Sequence, residues 1–247
     1  MDDAIENPCL YHSDDGVEFT PVQGAYPLDD ISYHKDQEYN SDPELVYNPD
    51  TNEIECWWRR AQTKFYPQQE YRNCEVLYRS RTKDGIHWTD KEKMFTYRNV
   101  DKETHGLISP AIIYEENTYK MWVSNGDNKP SGVRTIDYYE KTEETEFQLK
   151  HSCVLNRSIP HHLDVFKDRD RYYLIGFDCT KSSNPYIVYS FANPLDEMHY
   201  EGVVLTRGRY GYWDDGRLYR PSVTKVDDQF FLYYSAFERK RGSYCHV

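Results

Sequence analysis

The sequence predicts an all-β chain folded as a five-bladed β-propeller with one blade incomplete. Three observations carry that reading: a strand–turn–strand unit that recurs along the chain, an aromatic-rich composition, and an almost complete lack of helical periodicity. Each unit is a polar turn between a short apolar strand and an aromatic strand. The first runs from Ser41-Asp42-Pro43-Glu44-Leu45 through Asn48-Pro49-Asp50 to Ile54-Glu55-Cys56-Trp57-Trp58. The second runs from Ser109-Pro110-Ala111-Ile112 to Tyr119-Lys120-Met121-Trp122, the third from His161-His162-Leu163-Asp164 to Tyr172-Tyr173-Leu174-Ile175, and the fourth from Arg220-Pro221-Ser222-Val223 to Phe230-Phe231-Leu232-Tyr233. Inner hairpins are therefore expected near 42–58, 109–123, 161–175 and 220–234. Pro43, Pro110 and Pro221 mark one shared position, which His162 fills in the third unit, at spacings of 67, 52 and 59 residues. All-β units of this length suggest propeller blades, and proline is tolerated where a strand begins because no ladder donor is needed there.

A second signal lies between these hairpins. Leu77-Tyr78-Arg79-Ser80 precedes Asp84-Gly85-Ile86-His87-Trp88, and Cys9-Leu10-Tyr11-His12-Ser13 precedes Asp15-Gly16-Val17-Glu18-Phe19. Asp-Gly suits a tight turn because Gly takes positive φ at little cost. These are read as the outer two strands of blades, with the following aromatic plugging the gap to a neighbour; Tyr186–Ser190 with His199-Tyr200 is a looser copy. An N-terminal outer hairpin at 8–20 has no inner hairpin before it, which leaves the fifth blade incomplete. The segment from Thr142 to Lys150 reads as a polar connection, and the chain 1–247 as one propeller domain.

Composition narrows function. Thirty Lys+Arg against 42 Asp+Glu give a net charge of −12, a poor basis for gripping phosphates, so nucleic acid is not expected as a partner. No run of eighteen apolar residues exists, so no membrane span is expected, and the acidic start Met1–Glu6 lacks the apolar core of a secretory signal. The 39 aromatic residues (24 Tyr, 10 Phe, 5 Trp) exclude a disordered chain. The cysteines, Cys9, Cys56, Cys74, Cys153, Cys179 and Cys245, are scattered and read as small thiols buried in strands. Arg59, Arg60, Arg79, Arg81 and Arg98 read as surface residues whose stems cover aromatic rings.

Asp-Pro openings, aromatic second strands and Ser…Asp-Gly-x-x-Trp turns make the chain similar to the five-bladed β-propeller glycosidase superfamily, with its arabinanase, xylosidase and invertase-type enzymes. A closer resemblance is to propeller domains of tail-associated proteins of phages that infect Gram-positive bacteria. It rests on Glu6-Asn7-Pro8, Ser41-Asp42-Pro43, and Trp213-Asp214-Asp215 leading to Tyr219-Arg220. Such a fold implies inner strands whose first residues line one mouth. The residues before the shared proline position, Asp42, Ser109, His161 and Arg220, would then meet there, unless Asp42 and Arg220 simply pair with each other.

The superfamily's chemistry carries over only at Asp42, which matches the general base. Its second Asp corresponds to His161, and its general-acid Glu to Tyr219. An inverting glycosidase needs two carboxyl groups roughly 6.5–9.5 Å apart, so Asp164 and Asp215, with Asp214 beside it, are the candidate substitutes for the missing catalytic carboxylates. The alternative use of the mouth is binding. Arg220 offers a planar fork for an anion, His161 and His162 donate to it, and Tyr219 or Trp213 stacks on a sugar face. That pocket suits an anionic or amino-sugar glycan such as teichoic acid, although the net charge opposes a polyanion at long range.

No metal site and no cofactor are expected. Neighbouring strand residues point to opposite faces, so His161 and His162 cannot easily share an ion. The acidic runs Asp168-Arg169-Asp170 and Asp227-Asp228 read as hairpin tips. The expected partner is a poly- or oligosaccharide, bound by a phage tail receptor-binding component or hydrolysed by an inverting enzyme with Asp42 as base. The first setting adds other virion or wall-associated proteins as partners and places the chain in a virion tail or outside the cell; the second places it in the cytoplasm.

Overall fold

A computed structural model of the chain describes residues 7–30, 38–62, 73–99, 108–125, 135–155, 160–239 and 245–246. These residues contain strands, turns and loops and no helix. They form two compact units, Asp2–Lys102 and Glu103–Val247. Every sheet pairing is antiparallel, between strands adjacent in sequence.

In the first unit, β1 (Tyr11–His12) and β2 (Thr20–Pro21) form a two-stranded sheet. A four-stranded sheet follows, built from β3 (Glu38–Asn48), β4 (Glu53–Gln62), β5 (Asn73–Thr82) and β6 (Glu92–Asn99). Two loops of identical chemistry close the outer hairpins. Asp15 accepts the N–H groups of Val17 and Glu18, each at 2.8 Å, and Asp84 accepts those of Ile86 and His87 at 2.9 and 2.8 Å. Ser13 and Thr82 accept the following glycine N–H at 2.9 and 3.0 Å. Gly16 and Gly85 sit at φ 74° and 76°, so the Asp-Gly pairs turn as their sequence predicts, with the carboxylate holding the loop. Trp88 packs against Leu10, Val22 and Ala25, joining the small sheet to the large one, whereas Phe19 is about half exposed. A buried carboxylate completes that joint: Asp29 accepts from Arg60 at 2.5 Å, Lys91 at 2.7 Å and Trp58 at 3.1 Å.

The second unit holds three sheets. The first contains β7 (Ile108–Glu115), β8 (Thr118–Asn125), β9 (Thr135–Lys141) and β10 (Gln148–Val154). The second contains β11 (Pro160–Asp168), β12 (Arg171–Asp178), β13 (Tyr186–Phe191) and β14 (His199–Leu205). The third contains β15 (Arg217–Val226), β16 (Gln229–Phe237) and β17 (Cys245–His246). All four predicted inner hairpins form. The expected polar connection at Thr142–Lys150 is partly strand, since β10 opens at Gln148.

Packing within this unit is sheet on sheet. Trp122, Ile136 and Tyr138 of the first sheet meet Val165, Tyr172, Leu174 and Phe191 of the second. Ile175, Phe177, Tyr186 and Val188 of the second sheet meet Leu218 and Ala236 of the third. Hairpin tips carry ion pairs between sheets. Glu115 accepts from Lys120 at 2.6 Å and from Lys167 and Tyr172, and Asp168 accepts from Lys225 at 2.6 Å. Burial pushes the Glu115 carboxyl up, but these donors outweigh it and pull it down to about 2.

Two expectations fail here. Cys56 and Cys153 are buried as predicted, but Cys9 is exposed and Cys179 half-buried, all four as free thiols. Arg59, Arg60 and Arg79 are not surface residues. Each is buried and paired with acids, because the four-stranded sheet brings Asp42, Glu75, Glu55 and Glu92 to them across strands and the connection before β3 brings Asp29. Arg81 is half-buried on Glu92 and Glu53, and the Arg98 side chain lies outside the described residues.

Candidate functional site

Each inner strand carries the same irregularity. Ser41 pairs with Arg59 and Glu44 with Trp57, leaving Asp42-Pro43 bulged out of the ladder. The corresponding bulges are Ser109-Pro110, His162-Leu163 and Tyr219-Arg220. Bulges re-aim side chains, and they recur beside functional sites. Asp42, Ser109 and His162 also share a left-handed backbone, with φ of 53°, 49° and 51°. A non-glycine residue there costs of order 1 kcal/mol or more and persists only where its surroundings impose it.

This register corrects the sequence alignment of the third and fourth units by one residue. His162, not His161, stands where Asp42 and Ser109 stand, and Leu163 takes the proline position. Tyr219, not Arg220, opens the fourth bulge, and Pro221 lies just beyond it, paired with Tyr234.

Three of these positions meet in the second unit, each from a different sheet. The fully buried Ser109 Oγ lies 2.8 Å from His162 Nδ1. The His162 ring centroid is 4.3 Å from that of Tyr219. His161 stands edge-on to His162 at 4.8 Å, and Phe177, paired with His161 across the hairpin, backs both imidazoles at 5.4 Å. Sequence reading missed Phe177; its place two residues beyond Ile175, in the strand facing the His pair, was the available signal.

Asp42 belongs to the first unit and is committed there. Its Oδ2 lies 3.0 Å from Arg59 Nε as an ion pair and accepts from Ser41 Oγ at 3.2 Å, while Arg59 donates through Nε to Ser41 Oγ at 3.0 Å and through Nη1 to Glu75 at 2.7 Å. The Asp42 and Arg59 side chains are only 4% and 8% exposed. Burial disfavours the Arg59 charge, yet Asp42 and Glu75 outweigh it and hold the guanidinium above its usual range. Within its own sheet, Asp42 is thus paired with Arg59.

The two substitute carboxylates are similarly occupied. Asp164 Oδ1 accepts the Val165 N–H at 2.7 Å, and Oδ2 accepts the Val223 N–H at 2.5 Å, which ties β11 to β15. Burial pushes its carboxyl up; these N–H groups and the Arg220 charge offset that only in part. Asp215 accepts the N–H groups of Gly211 at 2.8 Å and Arg239 at 2.7 Å, which hold it below the usual carboxylate range. Asp214 accepts from Tyr234 at 3.1 Å, and Trp213 stacks on Tyr234 with centroids 5.2 Å apart. Among the described residues, no group of three or more His, Cys, Asp or Glu side chains is arranged to hold a metal ion.

No family model matches this sequence, and no curated protein does. Solved structures do. An N-acetylgalactosamine deacetylase from F. plautii, in complex with blood group B trisaccharide, superposes with a TM-score of 0.73 at 16% identity, covering 92% of this chain and 70% of that one. The fold is a β-propeller. An α-L-arabinanase mutant from Cellvibrio cellulosa gives 0.64 at 13% identity, over 96% of this chain and 82% of the other. The GH32 β-fructofuranosidase BmSUC1 of Bombyx mori gives 0.58 at 14%, and the propeller here spans only 43% of that enzyme's length. The described residues hold five sheets, of which three have four strands, one has three and one has two.

Proposed function

We propose that this propeller binds a saccharide at the bulged ends of its inner strands. One observation carries the reading: Ser109, His162 and Tyr219, supplied by three sheets and held partly in strained backbone, converge within hydrogen-bond and ring-contact distance. The group offers what a sugar ring needs, an aromatic face beside an imidazole whose orientation a buried hydroxyl fixes. Structural neighbours in complex with arabinohexaose, β-1,2-mannobiose and β-1,3-galactotriose support the ligand class.

Binding is favoured over inverting hydrolysis because Asp42, Asp164 and Asp215 are each spent on internal partners. A general base must hold a water, and a general acid must face the leaving oxygen. An Asp42 oxygen on buried Arg59, and both oxygens of Asp164 and of Asp215 on backbone N–H groups, are poorly placed for either task. Arg220 lies near buried Asp164, and the chain is strongly acidic, so the reading favours an uncharged saccharide over a polyanion such as teichoic acid. A virion-tail or extracellular setting, with virion or wall proteins as further partners, rests on the sequence motifs around Asn7, Asp42 and Trp213 alone.

The test is calorimetric titration of the chain with arabino-, manno- and galacto-oligosaccharides, alongside product analysis. The expected result is saturable binding, weakened about tenfold or more by His162→Ala and by Tyr219→Ala, with no product formed. Turnover of any of these sugars, abolished by Asp42→Asn in a folded protein, would overturn the binding reading in favour of hydrolysis.

A further inference from the structure

The loop between β14 and β15 exposes three large aromatics within four residues: Tyr210 at 68%, Tyr212 at 61% and Trp213 at 41%. Exposed loop tips are ordinarily soft and polar. This one is neither, because almost every turn of it is pinned. Gly208 N–H donates to the Asp214 carbonyl at 3.1 Å, Tyr212 N–H to Arg209 at 3.1 Å, and Asp215 N–H to Tyr212 at 3.1 Å. Asp215 spans the loop by accepting from Gly211, which sits at φ 92°, and anchors it to the end of β16 through Arg239. Gly208 lies against Asp214 so closely that a Cβ there would stand 1.9 Å from its Oδ1. Trp213 rests on Tyr234, which pairs with Pro221, two residues beyond Tyr219.

We infer that this loop is a second, aromatic subsite, and that the ligand is an extended saccharide of two or more rings rather than a single sugar. The inference rests on the binding reading above and assigns the further rings to Tyr210, Tyr212 and Trp213. A pre-ordered aromatic surface offers large contact area at little entropic cost, which is what a weakly polar sugar face requires of its site. Trp213 stacks on Tyr234, the cross-strand partner of Pro221, which stands two residues from Tyr219 on the same strand; the proposal has one chain of sugars run from this loop to the Tyr219 and His162 rings. Asp215 is in this account a positioning residue that holds the platform, not a catalytic acid or base.

The experiment compares the wild type with a Tyr210→Ala/Tyr212→Ala double variant and with Asp215→Ala, by titration with mono-, di- and tetrasaccharides of whichever series the wild type binds. Both tyrosines are exposed, so the double variant should melt at the wild-type temperature. The expected result is at least tenfold weaker binding of the tetrasaccharide with the monosaccharide affinity unchanged. Asp215→Ala should give the same chain-length-dependent loss although every ring is retained. Equal affinities of wild type and double variant for the tetrasaccharide would overturn the platform while leaving the binding site intact. So would a change confined to self-association or to capture of a protein partner, which would make the loop a protein contact. Failure of the wild type to bind any sugar would instead defeat the binding reading itself.

Discussion

The Asp42–Arg59 pair gives the sharpest energetic prediction. Asp42 is where the glycosidase resemblance puts a general base, and the fold makes it half of a buried ion pair. At 3.0 Å the gross attraction is about 5–6 kcal/mol for an effective dielectric constant of about 20, much of which offsets the desolvation of both groups. Removing one partner of such a pair costs roughly 3–5 kcal/mol when the other charge is stranded. Arg59 keeps Glu75 at 2.7 Å, so Asp42→Asn should cost less, about 2–3 kcal/mol. Asp42→Asn, Arg59→Met and the double variant form a cycle measurable by urea unfolding followed by far-UV circular dichroism. The double variant should be less destabilised than the sum of the singles, with a coupling of about 1–3 kcal/mol. A loss below about 0.5 kcal/mol for Asp42→Asn, with no coupling to Arg59, would refute the structural role and reopen Asp42 as a catalytic residue.

Two further predictions concern the sheets around the site. A Cβ at Gly176 would stand 2.7 Å from Pro160 Cβ and 2.9 Å from the His161 carbonyl, so Gly176→Ala should cost about 1–3 kcal/mol in thermal or urea unfolding and weaken saccharide binding by displacing the His161–His162 segment. Glu115, held at about 2 in the folded chain against about 4.5 unfolded, contributes stability that is present above pH 4.5 and lost as pH falls towards 2. The full shift is worth about 3 kcal/mol, and partial solvent exposure reduces this to about 1–2 kcal/mol. Urea titrations at pH 6 and pH 3 should show that difference shrink in Glu115→Gln.

The hairpins were legible because their signals are local. Aromatic and β-branched runs around polar turns specify strands wherever they occur, and Asp15-Gly16 and Asp84-Gly85 specify turns on their own. The register of the site was less so. Proline served as the marker of the shared position, but proline avoids ladder donors equally well inside a bulge, as at Pro43 and Pro110, or just after one, as at Pro221. Only cross-strand pairing tells these apart, and it moves the shared position from His161 and Arg220 to His162 and Tyr219, both already candidates for the pocket. The buried arginines were missed for a related reason. Arg59, Arg60 and Arg79 do lie over the rings of Tyr39, Tyr78 and Trp57, but whether such a guanidinium is also buried beside a carboxylate depends on what the neighbouring strand brings to it, as β5 brings Glu75 to Arg59, and that is a property of the sheet.

The central claim is that the bulged strand ends of three sheets make one saccharide site. The most direct measurement is the nitrogen-15 and proton NMR spectrum of the His162 imidazole during titration with an oligosaccharide. The account predicts that its resonances move and saturate with the calorimetric affinity, and that Ser109→Ala alters both the free spectrum and that affinity. Saturable sugar binding that leaves His162 and the Tyr219 ring undisturbed would contradict it.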